Sequence, residues 1–320
     1  MGNFFYLKKI RYKCKYVLAG FMATAFCLFM LLYPNMSLVS AQKGIVIWVN
    51  NILPTMFPFF ICANFMNNIG ITSYLKPGSF AFSMSILSGY PMGAKILGDM
   101  CRNDVIGRED CRRLVGYCST SGPAFILGTI GTSMLGNHIY GLVILAAHYL
   151  GAILNGTLFS YLFKYDRKNK NGKSRGKGGL IYRKNNYDNL LECLTDAIYT
   201  SFKSLGIIMA YVIMFMILTD ALQLVGIFEN IKHPFYVGAV KGMFEMTVGC
   251  AAISGNVAIP ILNQVIGCCM LVSFGGLSII GQSLSMLTNT GITFRYLFVV
   301  KIFHGVIAGF IAYCLMLIIY

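Results

Sequence analysis

Residues 79–97 read SFAFSMSILSGYPMGAKIL, an apolar stretch that is interrupted in its middle by SGYPMG at residues 88–93. Gly89 and Pro91 cannot continue one straight helix, because glycine favours non-helical backbone and proline has no backbone N–H to donate. A break in hydrocarbon leaves N–H and C=O groups that protein, water or a ligand must satisfy. The stretch therefore predicts two half-helices folded back as a re-entrant hairpin.

The composition of the whole chain places this hairpin in a membrane protein. Of the 320 residues, 57% are hydrophobic and 12% are charged, and the mean hydropathy is +0.67. Soluble proteins carry about 25% charged residues, so this chain has too few charges to cover a water-facing surface. The sequence excludes the soluble-enzyme, collagen-like and disordered classes and predicts an all-α polytopic membrane protein that contacts the lipid bilayer.

The net charge of +15 is concentrated in two segments. Residues 1–15 contain five Lys and Arg and no acid, and residues 164–184 contain nine Lys and Arg against one acid. Both segments flank long apolar runs, so the positive-inside rule predicts that the N-terminus and the linker are cytoplasmic. Nucleic-acid binding is not expected, because it would need a folded basic face.

The apolar runs and the charges divide the chain into four parts. A helix over residues 16–33 follows the basic head and is either retained or cleaved as a signal peptide. Residues 189–205 have the apolar spacing of an interfacial helix. The four parts are an N-terminal helix with an outer loop (1–43), a first repeat (44–163), a basic cytoplasmic linker (164–188), and a second repeat that opens with the interfacial helix (189–320).

The two repeats are similar at an offset of about 156 residues, which aligns SGYPMG at 88–93 with FEMTVG at 244–249. Each repeat contains an apolar helix, a broken stretch, a Gly-rich broken helix and a final helix. The first ends and the second begins at the cytoplasmic linker, so each crosses the membrane an odd number of times, in opposite senses. We predict inverted repeats, two re-entrant hairpins, and seven crossings if the first helix is retained. This pattern is typical of secondary transporters.

The helix breaks are the best candidates for a polar-solute site. A half-helix starting near residue 88 directs N–H groups at an anion, and Lys95 either adds a charge or extends to the cytoplasmic interface. Hydroxyls and an amide near residues 119–123 and 274–282 suit a carboxylate or ring nitrogen, although packing of small residues explains the glycines equally well. The candidate substrate-binding residues are Ser88, Gly89, Tyr90, Lys95, Ser119, Ser121, Gly122, Glu245, Thr247, Gly275, Gly276, Ser278 and Gln282.

Glu245 lies in an apolar stretch, and an intramembrane carboxylate is a functional candidate by default. Desolvation disfavours its charged form, so we expect Glu245 to gate transport or couple it to protons. The alternative is an i, i+4 ion pair with Lys241.

No metal, cofactor or enzyme motif is expected. The eleven cysteines form no C-x-x-C and the four histidines no H-E-x-x-H, so both are interpreted as structural residues. Neither Ser121 nor Ser278 completes a G-x-S-x-G motif.

Four motifs support a resemblance to a known family. They are LPTMFPF at 53–59, SGYPMGAK at 88–95, SGPAF at 121–125 and SFGGLS at 273–278. In this order they resemble the sporulation integral membrane protein family called YlbJ or SpoVV, within a wider nucleoside recognition or Gate domain group. The resemblance implies a fold similar to concentrative nucleoside transporters and movement of dipicolinic acid across the outer forespore membrane.

We therefore expect a carrier of a small anionic aromatic dicarboxylate, with a homo-oligomer or other sporulation membrane proteins as possible protein partners. Two alternatives remain open at this point. One is a nucleoside-type carrier, and the other is a non-transporting sporulation membrane scaffold whose partner helices fill the Gly-rich breaks.

Overall fold

The computed structural model describes residues 2–69, 76–166 and 189–319, and in these ranges it is helical without strands. The all-α fold class is thus confirmed, as expected where backbone groups must be satisfied within each segment. Most of the basic linker and Tyr320 lie outside the described residues. The helices are α1 (Gly2–Leu32), α2 (Pro34–Ile47), α3 (Leu53–Asn68), α4 (Pro77–Ser88), α5 (Met92–Arg102), α6 (Arg108–Cys118), α7 (His138–Asp166), α8 (Leu190–Leu224), α9 (Pro234–Phe244), α10 (Met246–Ser254), α11 (Ile261–Phe274), α12 (Gly276–Met286) and α13 (Phe294–Ile319), with π-helical turns at Trp48–Ile52 and Phe125–Met134.

Four segments of the described chain are long and apolar enough to span a membrane: His138–Leu162, Leu190–Leu224, Ile261–Met286 and Phe294–Ile319. A fifth span is possible if α1 and α2, bent by 105° at their junction, are one broken span. Apolar side chains such as Phe310 and Leu317 remain exposed on α13, where lipid would cover them. Seven crossings would require some of the shorter helices to cross the membrane as well, so the number of crossings stays a prediction.

The chain is broken at all four predicted places. Helices α4 and α5 are separated at Gly89, α9 and α10 at Glu245, and α11 and α12 at Gly275, while α6 ends before Ser119. Gly89 and Gly275 have φ values of +70° and +83°, which a side chain would strain. The breaks are therefore local consequences of the motifs that predicted them.

The ends of the helices recur at a constant spacing of 156 residues. The residues that follow α4 and α9 are 89 and 245, those that follow α6 and α11 are 119 and 275, and α7 and α13 begin at 138 and 294. The offset predicted from sequence is therefore present in the secondary structure. The opposite membrane orientation of the two repeats stays a prediction.

One predicted element differs from the structure. The interfacial helix over residues 189–205 is not a separate element, because α8 runs unbroken from Leu190 to Leu224. Asn189 caps its start by accepting a hydrogen bond from the Glu192 N–H at 2.8 Å. Gly206 alone does not end the helix, since one glycine costs only about 1 kcal/mol in a helix interior.

Close packing brings the four breaks together at the centre of the molecule. Gly89 lies against the backbone of Gly122, with no room for a Cβ atom. A Cβ atom on Gly276 would lie 2.9 Å from the Gly242 carbonyl oxygen, beside the α9–α10 break. Helices α7 and α13 pack against each other, and a Cβ atom on Gly151 would lie 3.0 Å from that of Ala308. Small residues thus let the backbones of both repeats approach closely.

Candidate functional site

A small buried cavity lies where the breaks of the two repeats meet. Four predicted site residues line it, together with apolar side chains from α3, α8 and α12: they are Tyr90, Glu245, Thr247 and Gln282. Its volume is about 20 Å³, which is room for one water molecule. A larger solute can occupy this place only if the half-helices move apart.

Glu245 is the carboxylate of this cavity and is 2% exposed. Its backbone is extended, so it ends α9 and begins α10. One side-chain oxygen accepts the Val248 N–H at 2.9 Å, and the other accepts the Thr247 hydroxyl at 3.2 Å. A carboxylate in this position satisfies free N–H groups and faces the positive end of the α10 dipole. The Glu245 side chain therefore caps the N-terminus of α10 inside the cavity.

The alternative interpretation of Glu245, an ion pair with Lys241, is wrong. The Lys241 ammonium donates a hydrogen bond to the side-chain oxygen of Gln223 at 2.7 Å and lies 5.6 Å from the centroid of the Phe228 ring. Glu245 begins a new helix, so the regular spacing that would place residues 241 and 245 on one helical face is interrupted.

Tyr90 joins this cavity to a buried lysine that was not among the residues predicted from the sequence. The ammonium of Lys301, on α13, donates hydrogen bonds to the Tyr90 hydroxyl oxygen and, at 3.1 Å, to the Ser119 carbonyl oxygen. The Tyr90 hydroxyl in turn donates to the same carbonyl at 2.9 Å. Lys301 is 1% exposed and Tyr90 3% exposed. Tyr90 thus lies close to two buried ionisable side chains, Glu245 in the cavity and Lys301 on α13.

Two histidines from α7 and α13 are also buried at the interface between the repeats. Their ring centroids are 4.8 Å apart. Nε2 of His148 accepts the Ser121 N–H at 2.9 Å, and Nδ1 lies 2.8 Å from the Ser273 hydroxyl oxygen. His148 is therefore neutral, with its proton on Nδ1. His304 donates from Nε2 to the His148 carbonyl at 2.9 Å, and its Nδ1 has no hydrogen-bond partner in the described residues.

Several predicted hydroxyl and amide groups are buried with unused hydrogen-bonding capacity. Gln282 donates through its side-chain nitrogen to the Ser278 hydroxyl at 3.2 Å, but its side-chain oxygen has no partner in the described residues. The same holds for the hydroxyl groups of Ser88 and Ser121. Buried polar atoms are nearly always satisfied in proteins, so these three atoms mark places where water or a polar ligand would bind.

The remaining predicted residues shape the breaks. Gly122 lies against Gly89 in the first repeat, and Gly276 lies against the α9–α10 break in the second. Gly275 and Gly276 have φ values of +83° and +75°, so small size and backbone freedom are both needed there. These glycines are explained by packing, which is one of the two interpretations that the sequence left open.

Lys95 lines a different cavity, between α3, α5 and α8. That cavity has a volume of about 70 Å³, and its polar lining residues are Asn64, Asn68, Lys95, Asp99, Asp196 and Thr200. Asn68 donates to the Asp196 carboxylate at 3.0 Å, and Lys95 is half-buried. The structure therefore separates Lys95 from the cavity of Glu245. We call the Lys95 cavity the polar vestibule, since its α5 and α8 residues lie near the segments predicted to be cytoplasmic.

The residues missed from the sequence carried two signals. Lys301 is an ionisable residue inside an apolar helix, and that position alone is a reason to consider it as a site residue. His148 and His304 are 156 residues apart, so the repeat offset places them at equivalent positions. Each histidine was judged in isolation, and their pairing becomes visible only when the two repeats are superposed.

Comparison with known proteins supports the family resemblance. No family model and no solved structure gives a significant match. The chain is 26% identical over 315 residues to the sporulation integral membrane protein YlbJ of Bacillus subtilis (strain 168), and the match covers 87% of this chain and 77% of that protein. This chain is therefore an integral membrane protein related to the YlbJ family of sporulation proteins.

Proposed function

We propose that this chain is a transporter of a small anionic aromatic dicarboxylate, and that its substrate is dipicolinic acid moved across the outer forespore membrane during sporulation. One observation carries the proposal: the carboxylate of Glu245 occupies the N-terminus of a half-helix inside a buried cavity between two repeats. Broken helices that present an N-terminus near the midplane are how secondary transporters bind anionic groups. The sporulation role rests on the similarity to YlbJ.

The chemistry of the cavity fits exchange of one carboxylate for another. A carboxylate of the substrate can accept the same two hydrogen bonds, from the Val248 N–H and the Thr247 hydroxyl, that Glu245 accepts in this structure. Glu245 then has to turn away or take up a proton, because two carboxylates at one helix end repel each other. The unpartnered oxygen of Gln282 can accept a hydrogen bond from water or from a protonated carboxyl group.

The small cavity volume implies a closed conformation. Dipicolinate is far larger than one water molecule, so its passage requires the half-helix pairs of one repeat to move relative to those of the other, as alternating access demands. The polar vestibule lies on the side predicted to be cytoplasmic, and Lys95 is the cation in its lining that a substrate carboxylate would contact there, alongside the carboxylates of Asp99 and Asp196. Glu245 acts as the gate, because its side chain caps the N-terminus of α10 until a substrate carboxylate replaces it.

The two alternative functions gain less support from the geometry. A nucleoside is neutral and has no use for Lys95 or for an anion position at α10. A scaffold that receives partner helices in its breaks needs open grooves, but the breaks are filled by the chain's own backbone at Gly89, Gly122 and Gly276.

Uptake into proteoliposomes tests the proposal directly. The purified protein is expected to take up radiolabelled dipicolinate and to leave radiolabelled uridine outside. Protein-free liposomes give the background. Nucleoside uptake without dipicolinate uptake would establish the nucleoside carrier, and uptake of neither compound by correctly folded protein would favour the scaffold.

Lys95→Ala tests whether the transported substrate is an anion. The variant is expected to weaken use of dipicolinate far more than use of an uncharged analogue, because only the anion interacts with the lost charge. The cost is on the order of 1.5–3 kcal/mol, as for a charge-assisted hydrogen bond. The measurement is competition of each compound against labelled dipicolinate uptake. Lys241→Ala is the matched control, and equal losses for both compounds would make Lys95 an interfacial anchor.

A further inference from the structure

Lys301 is a buried amine whose hydrogen-bond partners in the described residues are neutral oxygen atoms. None of the three ion pairs in the described part of the chain includes it. Its ammonium bonds the Tyr90 hydroxyl oxygen and the Ser119 carbonyl oxygen. Burial without a carboxylate disfavours the charged form of the amine, so a charged Lys301 needs negative potential from the local backbone.

That potential comes from the ends of two half-helices. Ser119 directly follows the last residue of α6, and Gly275 directly follows the last residue of α11. A Cβ atom on Gly275 would lie 3.5 Å from Cε of Lys301. The carbonyl oxygens of Val272 and Ser273, in the last turn of α11, lie 3.4 and 3.5 Å from the Tyr90 hydroxyl oxygen. Carbonyl groups at helix C-termini carry the negative end of the helix dipole, where cations are favoured.

We infer that Tyr90, Ser119 and the C-terminal end of α11 form a site for a small monovalent cation, and that the ammonium of Lys301 permanently occupies it. Uncharged hydroxyl and carbonyl oxygens at half-helix ends are the kind of ligands with which transporters coordinate a coupling ion such as Na⁺. Here the second repeat supplies the cation on α13, and the first repeat supplies Tyr90 and Ser119. The chain thus needs no metal ion at this position.

Because the protein fills this site itself, the site does not depend on the transported substrate. Removal of the tethered amine leaves it open to a free cation. Lys301→Ala deletes the side chain beyond Cβ and leaves an oxygen-lined space into which n-propylammonium fits, because that ion matches the deleted atoms. A free ligand that binds the native state stabilises it in a saturable manner.

The experiment measures the thermal unfolding midpoint of detergent-purified Lys301→Ala protein against n-propylammonium concentration. We expect a lowered midpoint that rises saturably with n-propylammonium and does not rise with n-propanol, which has the same shape without the charge. Wild-type protein and Lys241→Ala should show no such rise. Adding Tyr90→Phe to Lys301→Ala should abolish or strongly weaken the response, because it removes one ligand oxygen.

Equal stabilisation by n-propanol would show an apolar cavity without cation preference and would overturn the inference, as would a folded Lys301→Ala protein that responds to neither compound. If the variant does not accumulate, cell-free synthesis into liposomes is carried out with each compound present. Recovery of folded protein with n-propylammonium only is then the expected result, and recovery with neither compound or with both contradicts it.

Discussion

Positions 89 and 245 lie at the same place in the two repeats, 156 residues apart, yet one is a glycine with a φ of +70° and the other a buried glutamate. Helix α5, in the first repeat, has no side-chain cap, whereas α10, in the second, is capped by the Glu245 carboxylate. In the first repeat the break is instead occupied by Tyr90, which bonds Lys301 from the second repeat. The repeated backbone therefore determines where the helices break and expose backbone N–H and C=O groups. The individual side chains determine which group fills each break.

Substitution of the equivalent glycines Gly93 and Gly249 tests how closely the repeats share their packing. A Cβ atom at residue 93 would collide with the Cys118 carbonyl, and one at residue 249 with the backbone of Gly242. Alanine at either position should cost on the order of 3 kcal/mol or more, since backbone has to move. The measurement is recovery of monodisperse protein in detergent.

Gly206→Ala is the matched control for this pair. Gly206 lies inside α8, and a Cβ atom there would have no neighbour within 4 Å. The control should be neutral or should stabilise the protein by up to about 1 kcal/mol. Tolerance of alanine at only one of positions 93 and 249 would show that the two breaks are not packed alike.

Glu245→Gln tests the asymmetry of charge. The amide keeps the shape of the side chain and its oxygen can still accept the Val248 N–H, so the folded protein should lose no more than about 1 kcal/mol. Dipicolinate uptake and its dependence on pH should nevertheless be abolished, because the carboxylate that gates the cavity is gone. The measurements are uptake in proteoliposomes and the dipicolinate content of spores.

If spores that carry Glu245→Gln contain as much dipicolinate as wild-type spores at every pH examined, Glu245 has no gating role. Glu245 would then be a structural cap of α10. Thr247→Val separates the two roles further, because it removes one hydrogen bond to Glu245 while leaving the carboxylate in place.

The smallest expected effect distinguishes the two histidines. His148→Ala and His304→Ala delete the same atoms, but only His148 uses both ring nitrogens. His148→Ala leaves the buried Ser121 N–H without its acceptor, so it should destabilise the protein by about 1–2 kcal/mol more than His304→Ala. Thermal unfolding of the two purified variants gives the comparison, and equal midpoints would show that the His148 hydrogen bonds contribute no net stability.

Most of the fold could be predicted because its signals are local. SGYPMG at residues 88–93 and SFGGLS at residues 273–278 break their helices for reasons contained in those residues. The separate interfacial helix over 189–205 was not found, since an amphipathic pattern says nothing about where a helix ends. Its apolar continuation contains no residue strong enough to stop α8.

The site could be predicted only in part, because some of its contacts join residues of different repeats. Glu245, Thr247, Gln282 and Tyr90 were identified from the breaks, and the structure brings them to one cavity. Lys301 reaches Tyr90 from a position 211 residues later in the chain, and no local pattern indicates such a contact. Lys95 was identified from its proximity in sequence to residue 90, but on α5 it lies in the polar vestibule.

The contact between the rings of His148 and His304 has a consequence for the symmetry of the chain. In a symmetric homodimer a residue contacts its own copy only beside the two-fold axis. Two residues at equivalent positions of the repeats, with rings 4.8 Å apart, therefore lie where a two-fold axis relating the repeats would run. Side chains at other equivalent positions break that symmetry: the second repeat has Glu245 and Lys301 where the first has Gly89 and Leu145.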